Sequence, residues 1–510
     1  MSQLYFKVDV YSHNFTLSRI TARGLELIGD FSKPYKQWGV VRENRRFIRK
    51  VLKVFGTKLE DKTQFRFHIE QFPAFINFLN ELQVHESCYQ IECHIPDPGL
   101  TVEMPVREGW VLRDYQIPIN AYLISDLPLK RKLLEIQTGK GKTFSAMNAI
   151  GSLSKRLVIF IKPAYMDKWV SDVVKICEID PEDVISVSGS AALMQLIHLA
   201  QTDQLDCKVI IVSNKTMQNW ITLYERVGDD GIELLGYGCK PQDFLQTVKA
   251  GMRLIDEVHQ DFHLNFKLDL YTHVERSISL SATLVADDPF LTKMYLLAYP
   301  KAMRYAGLEY HKYIKSFSWI YRFNRPEIIR TTEYGSTTYS HIAFEKSVLK
   351  RPKELVNYVE MLDSCIRDTF TRHQKPGDKL LIYCSSINMC TYVAKFLKEL
   401  YPDRDVRRYV EDDPYDNLMS AEICVSTLLS AGTGHDIAGL TTVILTSAVS
   451  STQSNIQGFG RLREIPGRDV RFIYFVCSDI PKHIDYHEKK KSILKETALS
   501  YDSISYNLLV

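Results

Sequence analysis

The sequence has few of the features that mark membrane-bound, secreted or fibrous proteins. No apolar run approaches the roughly 18 residues that suggest a membrane-spanning helix, and there is no internal repeat or low-complexity tract. The first residues, Met1 to Lys7, do not have the composition of a signal peptide. We therefore expect a cytoplasmic protein that makes no membrane contact, in the host cytoplasm if the chain is viral.

Cysteine pairs that could form a metal site or a redox centre are also missing. The ten cysteines are scattered, and none stands in a Cys-x-x-Cys pair. The His and Cys residues between His85 and His94 fit no common zinc spacing. Apolar residues there alternate from Tyr89 to Ile95 as on one face of a strand. Buried thiols in a reducing compartment explain the cysteines better than zinc does.

Overall charge is nearly balanced, with a net charge of +3 over 510 residues. A nucleic-acid contact would therefore have to come from a local patch rather than from the field of the whole molecule. The hydrophobic and charged fractions, 45% and 25%, are those of an ordinary globular protein. The length suggests about three domains.

One local patch lies between Lys33 and Arg66, where eleven basic residues stand against three acidic ones. Aromatic residues are interleaved with them, and bases can stack on such rings. The pattern indicates a phosphate-binding surface; a solvated face of a small domain is the alternative. The residues predicted to contact nucleic acid here are Lys36, Trp38, Arg42, Arg45, Arg46 and Arg49.

A glycine-rich loop follows an apolar segment, Leu133 to Ile136, and precedes a predicted helix at 144–150. This order puts backbone N–H groups and a helix N-terminus where a polyphosphate can sit. Lys142 would reach the phosphates of ATP, and the Thr143 hydroxyl would hold Mg²⁺. An ordinary loop is the alternative, because Ile136 stands where the usual pattern has its first glycine. The predicted nucleotide contacts in this loop are Thr138, Gly139, Lys140, Gly141, Lys142 and Thr143.

A glutamine, Gln116, lies about twenty residues before this loop, in the segment Leu112-Arg113-Asp114-Tyr115-Gln116. Its amide carries both a donor and an acceptor, which the edge of adenine also presents. We expect Gln116 and Arg113 to lie beside the nucleotide.

Two adjacent carboxylates, Asp256 and Glu257, follow an apolar segment that predicts a strand at 252–255. They would lie at the carboxyl end of that strand, where ligands bind in open α/β sheets. Asp256 is predicted to hold Mg²⁺. Glu257 is predicted to orient or deprotonate the attacking water, and His259 to couple that site to its neighbours.

Polar residues end two further predicted strands of this half, at 157–161 and 209–212. Lys162, Asn214 and Thr216 could bond a nucleic-acid backbone there. They could equally be turn and capping residues, and the sequence leaves both interpretations open.

A second alternation of strands and helices begins at Lys379. Such alternation predicts a parallel sheet covered by helices. Ser385 and Thr427, at the ends of two of its strands, are predicted nucleic-acid contacts. This half has no phosphate loop. Lys489 to Lys491 in the tail could touch phosphates, but a solvated helix end is the favoured interpretation.

The order of these elements, with Ser281-Ala282-Thr283 after the acidic pair, resembles superfamily 2 helicases of the DExH group. Gly432 to Asp436 looks like motif V of that family and Gln457 to Arg463 like motif VI. The stretch from Ala421 to Glu464 is particularly similar to the branch-migration helicases of tailed phages and the transcript-release helicase of poxviruses.

The resemblance implies residue roles as well. In the family, the Ser-Ala-Thr element couples hydrolysis to movement between two motor lobes, and motif VI supplies an arginine finger. Glu464 stands where the family has its second motif VI arginine. The residues to which the resemblance gives roles are Gly434 and Asp436 at the nucleotide, Gln457 against His259, and Arg461 or Arg463 as the finger.

The expected fold is α/β, with two tandem RecA-like parallel-sheet lobes and a small α+β N-terminal domain. The expected bounds are 1–105 for the basic domain, 106–325 and 326–480 for the lobes, and 481–510 for a tail. The prolines between Pro96 and Pro105 mark the first boundary.

The expected activity is ATP- and Mg²⁺-dependent remodelling of branched DNA or RNA–DNA hybrids, such as forks, Holliday junctions, D-loops or R-loops. We expect a monomer with recombination or replication partners. Two alternatives are a translocase that releases protein or transcript without strand separation, and a non-catalytic nucleic-acid-binding scaffold.

Overall fold

The computed structural model describes residues 4–43, 46–137, 139–282, 284, 288–305, 311–431, 437–448 and 459–510, with the backbone alone at 42, 43, 46 and 47. The chain forms two compact units. The first contains most residues up to 308, and the second contains 309–510 together with the short segments 137–139 and 285–287.

The N-terminal part of the first unit is a small α+β domain. Its five-stranded sheet has the order β5-β6-β2-β1-β7, and β3 pairs with β4 as a separate antiparallel hairpin. The elements are β1 (Phe6–Val10), β2 (Asn14–Ser18), α1 (Ala22–Phe31), β3 (Lys36–Glu43), β4 (Arg46–Val54), β5 (Thr57–Lys58), β6 (Phe65–His68), α2 (Phe72–Glu81) and β7 (Tyr89–Cys93). Phe75 and Leu79 of α2 are buried against the sheet.

The rest of the first unit is a parallel α/β lobe. Its six strands have the order β10-β11-β9-β12-β13-β8 and are all parallel. The elements are α3 (Ile117–Ile124), β8 (Arg131–Glu135), α4 (Lys142–Leu153), β9 (Leu157–Ile161), α5 (Met166–Ile176), β10 (Val184–Val187), α6 (Ser190–Gln201), β11 (Val209–Ser213), α7 (Asn214–Leu234, with a break at Gly228), α8 (Phe244–Thr247), β12 (Met252–Ile255), α9 (Phe262–Asp269), β13 (Arg276–Ser281) and α10 (Pro289–Ala298). The carboxyl ends of these strands therefore meet at one edge.

A buried ion pair anchors the N-terminal domain to this lobe. Arg253 of β12 donates to Asp269 of α9 at 2.6 Å, and Nε2 of His68, from the N-terminal domain, lies 3.7 Å from the other oxygen of the carboxylate. Burial alone would raise the pKa of Asp269, but Arg253 and then His68 overcome it and hold that pKa below its usual value. A second buried bond, of 2.8 Å, joins His13 to Ser277. The two parts thus share a polar, charge-compensated interface.

Replacing Asp269 by asparagine is expected to destabilise the first unit by about 3–5 kcal/mol at pH 7, because Arg253 is left buried without its counter-charge. The pKa of Asp269 is lower in the folded protein than in the unfolded chain. Its ionised carboxylate therefore stabilises the fold at any pH above the unfolded pKa, and this stabilisation is lost as the pH falls through the folded pKa. The difference between variant and wild type should therefore shrink below about pH 4. Urea unfolding at pH 7 and at low pH, followed by circular dichroism, measures it.

Asp203→Asn is the matched control, since Asp203 makes an exposed pair with Lys249 and its loss should leave stability unchanged. An Asp269 variant as stable as the wild type at pH 7 would contradict the anchoring role.

The second unit carries a seven-stranded sheet of order β16-β17-β15-β18-β19-β14-β20, also parallel throughout. Its described elements are β14 (Ile314–Arg322), α11 (His341–Leu349), α12 (Pro352–Thr369), β15 (Lys379–Cys384), α13 (Ile387–Leu400), β16 (Val406–Tyr409), α14 (Tyr415–Ser420), β17 (Ile423–Thr427), α15 (Leu428–Ala431), β18 (Leu440–Leu445), β19 (Val470–Cys477), α16 (Pro481–Thr497) and β20 (Ser500–Leu509).

The predicted fold class is confirmed: two RecA-like parallel-sheet lobes follow a small α+β domain. The second sheet extends beyond the expected bounds 326–480, however. Strand β14 precedes residue 326, and β20, in the expected tail, pairs with it along the sheet edge. The exact domain bounds remain a proposal.

The expectation of a solvated helix end at Lys489 to Lys491 is wrong for Lys490. This side chain is 2% exposed, and its Nζ lies 4.5 Å from the centre of the Tyr474 ring. Burial lowers the pKa of Lys490 to about 7. The last helix packs its inner face against β19, and Lys490 belongs to that face.

All ten cysteines are free, and most are buried, as expected. Within the described ranges, no helix combines the length and the hydropathy that a membrane span requires.

Candidate nucleotide-binding site

The glycine-rich loop of the first unit leads into α4, which begins at Lys142. Gly141 caps this helix with a φ of 73°, in the left-handed region that glycine adopts without strain. A Cβ atom at Gly141 would lie 2.5 Å from Nε2 of Gln116. Gly139 also has a positive φ, of 88°. The loop thus exposes the N-terminal N–H groups of α4, as an anion-binding turn requires.

Ile136, the departure from the usual loop pattern, is accommodated as a core residue. Its side chain is buried, and its backbone N–H donates to the carbonyl of Ser281 at 3.2 Å. Nζ of Lys142 donates to the carbonyl of Ile136 at 3.2 Å. The side chain of Lys142 therefore folds over the end of β8 in this structure, beside the loop that it would serve.

Gln116 makes hydrogen bonds to the loop and to its own segment. Its Oε1 accepts from the N–H of Arg113 at 3.0 Å, and its Nε2 donates to the carbonyl of Lys140 at 3.3 Å. The hydroxyl of Tyr115 donates to the same carbonyl at 3.4 Å. The amide keeps one N–H and one lone pair for a further partner, so an adenine contact stays a prediction.

Asp256 lies at the carboxyl end of β12 and is held on both oxygens. Trp169 of α5 donates its indole N–H to Oδ2 at 3.2 Å, and the N–H of Glu257 donates to Oδ1 at 2.8 Å. Burial, and then the neighbouring Glu257, raise the pKa of Asp256 to about 6 against the opposing effect of Lys142. The loop lysine and the acidic pair thus act on each other electrostatically.

Glu257 has a φ of 49°, in the left-handed region that non-glycine residues seldom adopt. Backbone strain of this kind occurs where the surrounding structure enforces it, often at functional sites. Oε2 of Glu257 is buried and has no hydrogen-bond partner among the described residues, although Nδ1 of His259 lies 3.3 Å away.

His259 links the acidic pair to β13. Its Nδ1 lies 2.8 Å from the hydroxyl of Ser281, and the carbonyl of Ser281 accepts from the loop residue Ile136. Burial, and then Lys142, lower the pKa of His259 to about 4. The imidazole is therefore neutral at physiological pH and can donate one hydrogen bond and accept another.

This donor set suits Mg²⁺ by its chemistry. The ion prefers carboxylate, hydroxyl and water oxygens. Asp256 provides a partly buried carboxylate, Thr143 a hydroxyl in the first turn of α4, and Glu257 a buried oxygen without a hydrogen-bond partner among the described residues.

Two of the three predicted strand-end contacts of the first unit, Lys162 and Thr216, already have partners within the protein. Lys162 pairs with Asp261 at 2.8 Å. Ser213 caps α7 by accepting from the N–H of Thr216, and the hydroxyl of Thr216 accepts from Gly189 at 2.8 Å. Asn214 is buried. The capping interpretation thus applies to Ser213, whereas nucleic-acid contacts of the other three stay predictions.

Most of the basic patch lies in the β3–β4 hairpin, whereas Lys33, Lys58, Lys62 and Arg66 lie outside it. Trp38 is half exposed, and the guanidinium of Arg49 lies 5.4 Å from the centre of its ring. Lys36 is partly exposed. Arg66, counted in the patch, is instead buried and donates to Thr16 and Gln242 at 2.8 and 2.6 Å. The side chains of Arg42, Arg45 and Arg46 lie outside the described residues.

In the second unit, the two predicted finger residues have different surroundings. Arg461 is buried beside Tyr383 of β15. Arg463 is half-buried, and its Nη1 donates to the carbonyls of Gly460 and Leu462 at 2.5 and 3.3 Å. The choice between them stays open. The predicted contacts that lie outside the described residues are Thr138, Gly434, Asp436 and Gln457, together with Thr283 of the Ser-Ala-Thr element.

In the second lobe, the side chain of a glutamate fills the turn that follows β15. Glu345 of α11 is fully buried and accepts from the N–H groups of Ser385 and Ser386, both at 2.7 Å. Burial raises the pKa of Glu345 to about 7, against the effect of those bonds. A carboxylate thus occupies the strand-to-helix turn. The Ser385 hydroxyl donates to Ser447, and that of Thr427 accepts from the N–H of Ser430; their nucleic-acid roles stay predictions.

Two buried residues that hold these groups in place, Trp169 and Glu345, were not predicted from the sequence. Trp169 lies in an ordinary amphipathic helix, so its only signal is that a buried indole N–H needs a partner. Glu345 is a lone acid among apolar residues in α11 (Ala343, Phe344, Val348). A carboxylate inside an apolar stripe requires buried donors, and that signal was available.

No protein-family model matches the chain, and no curated protein matches its sequence. Solved structures with a similar course of the chain include S. cerevisiae Dbp5 bound to RNA and ADP BeF3, at 12% identity and a TM-score of 0.47, covering 77% of this chain and 89% of that one. The Pyrococcus furiosus Hef helicase domain is similar at 15% identity and a TM-score of 0.45, covering 74% and 98%. Mss116p bound to ssRNA and AMP-PNP is similar at 14% identity and a TM-score of 0.48, covering 76% of this chain and 72% of that one.

Proposed function

We propose that the chain is an ATP-dependent nucleic-acid motor of the superfamily 2 helicase type. One observation carries the proposal: a loop lysine, a partly buried aspartate, a strained glutamate and a neutral histidine are linked at the carboxyl edge of the first parallel sheet. This constellation suits phosphoryl transfer, in which positioning and electrostatics supply most of the catalysis.

Nucleotide binding follows from the loop and helix α4. The N–H groups at the start of α4 would face the phosphates, where the helix dipole favours negative charge. Lys142 would exchange its bond to the carbonyl of Ile136 for a phosphate oxygen, which is the stronger, charge-assisted partner.

Hydrolysis needs a group that orients and deprotonates water. Oε2 of Glu257 is a suitable acceptor, because it is buried and has no hydrogen-bond partner within the described residues. The N–H of Glu257 donates to the carboxylate of Asp256, which keeps the two acidic residues together. Mg²⁺ held by Asp256 and Thr143 would supply charge neutralisation at the phosphoryl oxygens.

His259 and Ser281 would carry the state of this site to the neighbouring strand. The neutral ring bonds Ser281 on β13, and the carbonyl of Ser281 holds the loop residue Ile136. A change at Glu257 would thus reach the loop through His259, Ser281 and Ile136. The roles that the family resemblance implies for Arg461 or Arg463, and for Gly434, Asp436 and Gln457, stay part of this proposal.

The proposed substrates are branched DNA or RNA–DNA hybrids. Backbone contacts recognise structure rather than sequence, and the β3–β4 hairpin presents Arg49 and the exposed ring of Trp38 for phosphates and bases.

The test measures ATP hydrolysis and strand separation on single strands, duplexes, forks, four-way junctions and R-loops. We expect ATP turnover to rise with added nucleic acid and to be greatest on branched substrates, with strand separation. Stimulated turnover without strand separation would favour a translocase that displaces bound molecules. Binding without any ATP turnover would favour the scaffold alternative and overturn the motor.

A further inference from the structure

A groove of about 740 Å³ separates the N-terminal domain from helix α7 in the first unit. One wall is formed by Lys58, at the end of β5, and by Glu60, two residues further on, and the other is one face of α7. Two bonds tie the walls at the base: the N–H of Glu60 donates to the carbonyl of Glu225 at 2.7 Å, and the Thr57 hydroxyl donates to the Glu225 carboxylate.

The α7 wall is a continuous polar stripe. Lys215, Asn219, Thr222 and Arg226 follow one another at spacings of four, three and four residues, which places them on one face of a helix. At 1.5 Å per residue this face is about 16 Å long. That length corresponds to roughly five nucleotide steps of 3.4 Å along one strand of a duplex.

The groove carries an excess of positive charge. Lys58, Lys215 and Arg226 are exposed, and none of them makes an ion pair within the ranges that the structure describes. Glu225, at the base, is already compensated: Lys267 donates to it at 2.5 Å and the Tyr271 hydroxyl at 3.2 Å. Glu60 is then the remaining acid of the lining, against three cations.

Both ends of the groove lead to predicted nucleic-acid contacts. Helix α7 begins at Asn214, at the carboxyl end of β11. On the other side, β4 brings Lys53 and the hairpin to β5, where a smaller cavity of about 240 Å³ lies alongside. The groove thus joins the motor lobe to the basic hairpin.

We propose that this groove binds the phosphate backbone of nucleic acid, so that the N-terminal domain and the first lobe grip one strand jointly. The inference rests on the proposed function and extends it to residues of α7 that no sequence motif marks. The buried contact between His68 and Asp269 joins the N-terminal domain to the lobe, so a strand in the groove would be held against the lobe proposed to bind ATP.

The test compares Lys215→Glu/Arg226→Glu with the wild type in binding of a fluorescent 20-base-pair duplex across 50–200 mM salt. Each phosphate contact contributes about 0.9 to the slope of log K against log salt. The double variant should lower that slope by about 2 and weaken binding about tenfold or more. Lys58→Glu, on the opposite wall, should lower the slope by about 1.

Lys398→Glu/Lys495→Glu is the matched control, since both lysines are exposed on helices of the second unit; its slope should equal that of the wild type. Unfolding temperatures verify that the variants are folded, and Lys215→Arg/Arg226→Lys should retain binding. Wild-type slope and affinity in the folded groove variant would overturn the inference.

The same preparations separate this inference from the proposed function. If nucleic acid stimulates the ATP turnover of the wild type while the groove variant binds normally, the groove inference alone fails. If the groove variant loses binding but the wild type hydrolyses no ATP, the groove stands and the motor fails.

Discussion

Replacing Lys142 by alanine is expected to lower nucleic-acid-stimulated ATP hydrolysis by at least about a hundredfold, because a preorganised cation facing developing phosphoryl charge is worth about 10²–10³ in rate. The side chain is only partly buried at the first residue of α4, and its bond to Ile136 is one of several that hold the loop. The variant should therefore fold. Initial rates of phosphate release with saturating nucleic acid, together with the unfolding temperature, measure both effects.

Lys398→Ala is the control for this prediction, since it removes a lysine from the exposed face of α13, far along the chain from the loop. Its turnover should match that of the wild type. If Lys142→Ala hydrolyses ATP at the wild-type rate, the loop does not bind the reacting phosphates and the motor interpretation is lost.

Glu257→Gln should bind ATP and nucleic acid with wild-type affinity but hydrolyse ATP about 10²–10⁴ times more slowly, the usual contribution of a general base. Glutamine keeps the size of the side chain and a carbonyl oxygen, but it is far less basic than a carboxylate. The neighbouring Asp256 keeps its bonds from Trp169 and from the backbone N–H of residue 257. Binding of a fluorescent ATP analogue and single-turnover hydrolysis separate the two steps.

Glu178→Gln, an exposed residue next to α5, removes the same charge elsewhere in the first unit and should change neither step. A Glu257 variant that turns over normally would exclude Glu257 as the base. One that no longer binds ATP would instead make Glu257 part of the binding site.

Much of the site could be predicted locally, because its signals are short. Apolar runs followed by Gly139 to Thr143 or by Asp256 and Glu257 predict strands that end at the same edge, and β8 and β12 are such strands. The strands of the second half follow from hydrophobic periodicity in the same way. In each case the pattern extends over fewer than about fifteen residues.

Contacts between segments far apart in the chain could not be predicted from local sequence patterns. Nothing in the local pattern of Ser500–Leu509 marks it as a sheet edge; it becomes one only because β14 offers it a parallel partner. Lys490 and Arg66 look like surface cations by composition, yet packing buries both. Glu345 reaches Ser385 across 40 positions of the chain.

By itself, the sequence determined the fold class and located the glycine-rich loop and the acidic pair, since these depend on hydrophobic periodicity and on a few residues at fixed spacing. Only the tertiary structure determines which polar groups are bonded within the protein and which can bind a ligand. Trp169 on Asp256, Glu345 on the Ser385 turn, and the groove between β5 and α7 all join segments far apart in the chain. Burial and hydrogen-bond geometry depend on which distant segments pack against each other, and local sequence patterns do not contain that information.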